Sequence, residues 1–146
     1  MPTTGGCFCG RITYEVTGEL QPASWCHCSM CRKRFGGAGC TLAPVRAGEF
    51  REESASQLAE GSRHQEFRWT AGAEALTRFG EEWGLGFCSI CGSTLVGFRN
   101  DDVLGVTLST LDGDPEVRIL QHLFVGSKPR WHLIGDDAPQ HDTWPG

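Results

Sequence analysis

The chain has 146 residues, 39% of them hydrophobic and 21% charged, which excludes a disordered tail and any run near the roughly 20 apolar residues of a membrane span. Lys and Arg number 13 against 18 Asp and Glu, a net charge of −5, which argues against broad nucleic-acid binding. One domain over residues 1–146 is expected from this length, and 20 glycines, about twice ordinary usage, predict tight turns and short strands.

In chain order, the N-terminus has no basic segment leading into an apolar stretch, so a cytoplasmic location is expected. Arg11 to Val16 alternates cleanly, with Ile12, Tyr14 and Val16 on one face, which predicts a half-buried strand. A short helix is expected to hold Cys31 in its first turn and to run to about Phe35. Gly39 to Val45, Glu66 to Trp69, Leu76 to Phe79, Thr94 to Phe98 and Val103 to Leu108 read as further short strands. Ser54 to Gly61 reads as a helical turn or a loop. Leu111 to Pro115 is a turn, and Ile119 to Val125 fits strand or helix equally well. The fold class is mainly β, with no repeat or internal boundary.

Cysteine spacing carries the chemistry. Of eight cysteines, seven fall into three groups: Cys7 and Cys9; Cys26, Cys28 and Cys31; Cys88 and Cys91. Disulfides are disfavoured in a reducing compartment, whereas clusters this tight place several sulfurs near one point, as metal ligands are placed. Soft thiolates in tetrahedral sets favour zinc, with iron the alternative. A closed structural zinc takes four protein ligands and a catalytic one takes three, so seven sulfurs fit one site of each kind. Cys9 precedes Gly10 and Cys91 precedes Gly92, and such glycines permit positive φ and turn backbone N–H groups towards sulfur. The two glycine-ended pairs therefore match as halves of one site.

Cys26, Cys28 and Cys31 remain as a local trio. Residues two apart in an extended segment face one side, so Cys26 and Cys28 can share a metal while His27 points away. Arg32-Lys33-Arg34 follows directly and would balance the charge of three thiolates plus a guest thiolate. The alternative is a second closed site with a fourth ligand from Cys40, His27, His122 or His132. Cys40 is expected to be buried on a strand; redox catalysis through it is a minor further alternative.

No nucleophile elbow, phosphate loop or zinc-deaminase signature occurs. The acidic pairs, Asp136-Asp137 among them, read as solvated turn residues, and Trp131 and Trp144 as packing residues. The stretch from His122 to His132, with Lys128 and Trp131, mixes polar and aromatic groups and could line a small-molecule cleft.

Gly6-Cys7-Phe8-Cys9-Gly10, Cys26-His27-Cys28 with Cys31-Arg32, Phe87-Cys88 with Cys91-Gly92-Ser93, Leu111-Asp112 and the His122 to Trp131 stretch together resemble the glutathione-dependent formaldehyde-activating enzyme family. The resemblance runs from about Gly5 to about Pro145. It implies a small β-tent, Mss-like, of several short coiled antiparallel sheets with two zinc ions per chain. Cys7, Cys9, Cys88 and Cys91 would hold structural zinc, and Cys26, Cys28 and Cys31 catalytic zinc. The implied reaction is carbon–sulfur lyase chemistry joining glutathione, or a similar thiol, to formaldehyde or a small aldehyde. Arg32, Lys33, Lys128 and Trp131 are the candidate residues for binding the thiol. No nucleic-acid or membrane partner is implied, and an oligomer is compatible with it. The competing reading is a zinc-stabilised binding or scaffold module without catalysis.

Overall fold

The computed structural model describes residues 2–45 and 66–145, so the turn or loop expected at 54–61 lies outside the described residues. The described strands are β1 (Thr3–Gly6), β2 (Thr13–Thr17), β3 (Ala23–Cys26), β4 (Cys40–Pro44), β5 (Glu66–Ala71), β6 (Leu76–Phe79), β7 (Trp83–Cys88), β8 (Thr94–Arg99), β9 (Asp102–Thr107) and β10 (Ile119–Leu123). A single described α-helix, α1 (Ser29–Phe35), follows β3. The mainly β expectation holds. Ile119 to Leu123 settles as strand, and residues 125–127 after it form a 3-10 turn.

β1, β2 and β5 make an antiparallel sheet of three strands. The other sheet runs β10-β3-β4-β9-β8-β7-β6. Its neighbours are antiparallel except for β10 and β3, which are parallel, with Leu123 opposite Cys26. The C-terminal segment covers the outer edge of β10, where the His122 N–H donates to Pro139 O at 2.8 Å and the His141 N–H to His122 O at 2.9 Å. An edge so covered offers no open ladder to another chain.

The alternation in β2 does what period-two patterning requires: Ile12, just before the strand, and Tyr14 and Val16 within it are fully buried. They pack with Ala43, Val45, Leu95, Val96 and Val106, so one core joins both sheets. Each such large side chain contributes about 1.5–3 kcal/mol through burial. The Tyr14 hydroxyl stays satisfied 2.8 Å from Thr110 Oγ1.

β1, β3 and β7 are strands the pattern does not announce. β1 reads Thr-Thr-Gly-Gly, with no apolar alternation. Gly5 is required there because a Cβ would stand 2.4 Å from Tyr14 Cζ. In β7 the inward positions are Gly84, Gly86 and Cys88. A Cβ on Gly86 would meet Phe98 Cε2 at 2.7 Å, so the large ring from β8 fills the space that a β7 side chain would need.

Candidate metal centres

Two cysteine groups assemble, each with its sulfurs within 4.8 Å of one another: Cys7, Cys9, Cys88 and Cys91, and separately Cys26, Cys28 and Cys31. None of the eight cysteines is in a disulfide. The grouping from sequence is therefore the grouping in space.

The four-sulfur group lies between two turns, one after β1 and one at the end of β7. Gly10 at φ 79° and Gly92 at φ 81° take the left-handed conformation after Cys9 and Cys91. Their N–H groups close the turns on Cys7 O at 3.1 Å and Cys88 O at 2.8 Å. Backbone donors reach the sulfurs: Ile12 N–H lies 3.3 Å from Cys7 Sγ, and Ile90 N–H 3.4 Å from Cys88 Sγ. Cys7 and Cys9 sulfurs are 3.5 Å apart, and Cys9 and Cys88 sulfurs 3.8 Å. A tetrahedron of Zn–S bonds near 2.3 Å places sulfurs about 3.8 Å apart, so this set fits zinc as it stands.

The protons of that group are unevenly held. The Ser93 hydroxyl, 3.3 Å from Cys91 Sγ, leads in lowering Cys91 to about 5, with the Ser93 and Cys9 backbone assisting. At Cys9 the Arg11 N–H favours the thiolate, but lost hydration and the three other sulfurs outweigh it and push the thiol up to about 11. Four sulfurs this close cannot all ionise without a cation among them.

The three-sulfur group is built by the join of β3 to α1. Cys26 ends β3. Cys28 is the N-cap of α1, and its sulfur accepts the Cys31 N–H at 3.3 Å. Capping by a thiol rather than a hydroxyl places Cys28 and Cys31 sulfurs on one side of the first turn. The helix ends where the sequence predicts, at Phe35, because Gly36 at φ 67° turns its N–H back to Arg32 O at 2.8 Å. Hydrogen bonding with Cys31, then burial, pushes the Cys26 thiol well up. For Cys31 the Cys26 contact acts downward, but Cys40 and burial outweigh it and raise that thiol too.

Cys40 is buried on β4, directly across from Cys26, as a strand position was expected to be. Among the described residues no fourth Cys, His or carboxylate joins the trio's mutual 4.8 Å set; Cys40, His27, His122 and His132 all stand outside it.

His27 turns away from the trio and into the interior, where it is fully buried. Its Nε2 is 2.8 Å from His122 Nδ1, and His122 Nε2 lies 2.9 and 3.1 Å from the Asp136 carboxylate oxygens. Asp136 is thus no freely solvated turn residue, contrary to the sequence expectation. His122 holds its carboxyl below the ordinary range. Trp25 stacks on His27 with the ring planes 5° apart and centroids 5.5 Å apart, and His132 packs at 5.6 Å. Burial foremost, then His122, His132 and Lys128, lowers His27 to about 4, so it is neutral at pH 7. Sequence reasoning missed this chain because its members are 95 and 14 residues apart.

The candidate thiol-binding residues divide. Arg32 and Lys33 follow Cys31 in the last turn of α1, where cations also complement the helix C-terminus. Lys128 Nζ is committed to backbone carbonyls, donating to His132 O at 2.6 Å and Pro129 O at 3.3 Å. Trp131 is 68% exposed rather than packed. The cleft of about 310 Å³ bounded by Glu19, Gln21, Glu116 and Arg118 opens at the opposite ends of β3 and β10 and belongs to neither centre.

The fold and these sulfur groups define a mainly β protein with two cysteine clusters that could hold metal ions, one of four sulfurs and one of three. The chain belongs to the glutathione-dependent formaldehyde-activating enzyme family, whose sequence pattern matches residues 2–127. A relative from Halomonas elongata, which carries that family's description provisionally, is 30% identical over 133 residues, covering 87% of this chain and 77% of its own. A Rhodobacter sphaeroides protein of known crystal structure superposes with a TM-score of 0.52 at 28% identity, over 75% of this chain and 88% of the other. No described helix is long and apolar enough to cross a membrane.

Proposed function

We propose that the protein is a zinc-dependent carbon–sulfur lyase-type enzyme that joins glutathione, or a thiol like it, to formaldehyde or a small aldehyde as an S-hydroxymethyl adduct. The observation that carries this reading is the inequality of the two sulfur groups: four ligands make a closed set, three leave a corner. When bound, zinc supplies Lewis acidity that favours the thiolate form of a guest thiol and polarises an aldehyde oxygen. Cys26, Cys28 and Cys31 would hold that ion, and Cys7, Cys9, Cys88 and Cys91 a structural one.

The chain's own groups then orient the guest. Arg32 and Lys33 lie one and two residues beyond Cys31 and suit the carboxylates of glutathione. Trp131 offers an exposed ring beside His132. Holding thiol and aldehyde side by side converts a bimolecular encounter into a positioned attack.

The test is the rate of adduct formation from glutathione and formaldehyde, followed by exchange NMR at equilibrium with zinc-loaded protein. Acceleration that disappears in Cys28→Ser supports the reading. A rate equal to buffer with the intact protein overturns it and leaves a zinc-stapled scaffold.

A further inference from the structure

The geometry points to Asp136 and His122 as positioning residues for the three-sulfur centre, acting through His27. The inference rests on the open-centre reading above and adds to it a set of residues outside the ligands.

His27 occupies the position between Cys26 and Cys28, so wherever its ring is fixed, the backbone carrying two of the three sulfurs is fixed as well. The ring is fixed from two directions. Trp25 lies flat against it. His122 bonds its Nε2 at 2.8 Å, and Asp136 in turn accepts from His122 Nε2–H at 2.9 Å. An ionised carboxylate only accepts, which obliges His122 to carry a proton on Nε2 and sets the orientation of its ring. The backbone adds a third restraint: the His27 N–H donates to Leu123 O at 2.9 Å, from the residue after His122.

The chain begins in a side chain that is 40% exposed and ends in one that is wholly buried. Asp136 also fixes its own loop, accepting the Ala138 N–H at 3.0 Å. Simple packing of the interior would be met by apolar groups of the same shape. This carboxylate–imidazole–imidazole series reaches the ligand pair through the His27 backbone, and groups outside a coordination shell that hold its ligands in place tune metal affinity.

The experiment uses the full chain loaded with cadmium-113, whose resonances separate a four-sulfur from a three-sulfur environment within one molecule. Asp136→Leu removes the acceptor. The expected result is a shifted three-sulfur resonance and about tenfold weaker cadmium binding there, with the four-sulfur resonance unmoved. Asp136→Glu restores most of the loss. If Asp136→Leu fails to fold, Asp136→Asn, which keeps an oxygen for the Ala138 N–H, gives a smaller shift in the same direction. A three-sulfur resonance unmoved in both substitutions overturns the positioning role while leaving the open centre intact. Equal disturbance of both centres reduces the effect to general destabilisation and also overturns it. Absence of any three-sulfur resonance in the unaltered protein overturns the open-centre reading and this inference with it.

Discussion

The two sulfur groups use the same side chain and differ in what they connect. Cys7 and Cys9 stand some 80 residues from Cys88 and Cys91 and lie on turns belonging to different sheets, so a metal there closes a long loop. Cys26, Cys28 and Cys31 sit within six residues on one strand–helix join, so a metal there closes nothing that the backbone has not already closed. On the proposed function the difference divides the labour by ligand count and loop span: the long-range set would stabilise, and the local set would be free to bind and release a guest.

Breaking the long-range set gives the largest expected effect. On the proposed assignment Cys88→Ser would leave three of the four structural ligands, and structural zinc sites contribute about 10 kcal/mol or more, comparable to a whole domain's stability. Thermal unfolding by circular dichroism is expected to lose its cooperative transition. Retention of that transition near the parental midpoint would erase the contrast.

Breaking the local set is expected to act on chemistry alone. Cys31→Ser lowers adduct formation by about 100-fold or more and lowers the metal content by one equivalent, since the loss of a ligand exceeds the 10–100-fold cost of losing an outer partner. Its unfolding midpoint stays within a few degrees of the parent. A collapse as deep as that of Cys88→Ser would show that both groups are structural.

A third prediction sharpens the comparison by isolating stability that owes nothing to sulfur. Burial raises the Tyr14 phenol from 10 to about 12. A folded pKa above the unfolded one means that the stabilisation is complete below pH 10 and is lost as pH rises from 10 to 12, to about 2–3 kcal/mol. Denaturant titrations across that window should show the decline in the parent and not in Tyr14→Phe, which has no proton to lose. A parallel decline in both would place the alkaline sensitivity outside Tyr14.

The smallest effect concerns the guest. Lys33 is exposed on α1, and exposed charge pairs contribute about 0.2–1 kcal/mol. Lys33→Ala should therefore raise KM for glutathione by no more than about fivefold with kcat unchanged. An unaltered KM at low salt would remove Lys33 from the guest's path.

What could be read from the sequence was what is local. Cysteine spacing, the glycines after Cys9 and Cys91, the alternation of β2 and the end of α1 are each set by neighbours within a few positions, and all appear in the structure. β7 hid because its core-facing positions are glycines, whose role is visible only once Phe98 is placed against Gly86. The His27–His122–Asp136 chain hid because hydrogen bonds across 95 residues leave no periodic mark. The parallel pairing of β3 and β10 hid for the same reason, since the pattern of Ile119 to Val125 fits strand or helix alike and says nothing of its neighbour.

That parallel pairing has a consequence for the order of assembly. A strand laid down within the first thirty residues waits for one near residue 120 before its outer edge is closed. On a ribosome making about 5–20 residues each second, the trio's thiols emerge several seconds ahead of the partner that holds His27 in place. A nascent chain therefore carries three neighbouring, unshielded sulfurs through most of its synthesis, and any metal captured in that interval would meet a strand–helix join whose outer edge is still open.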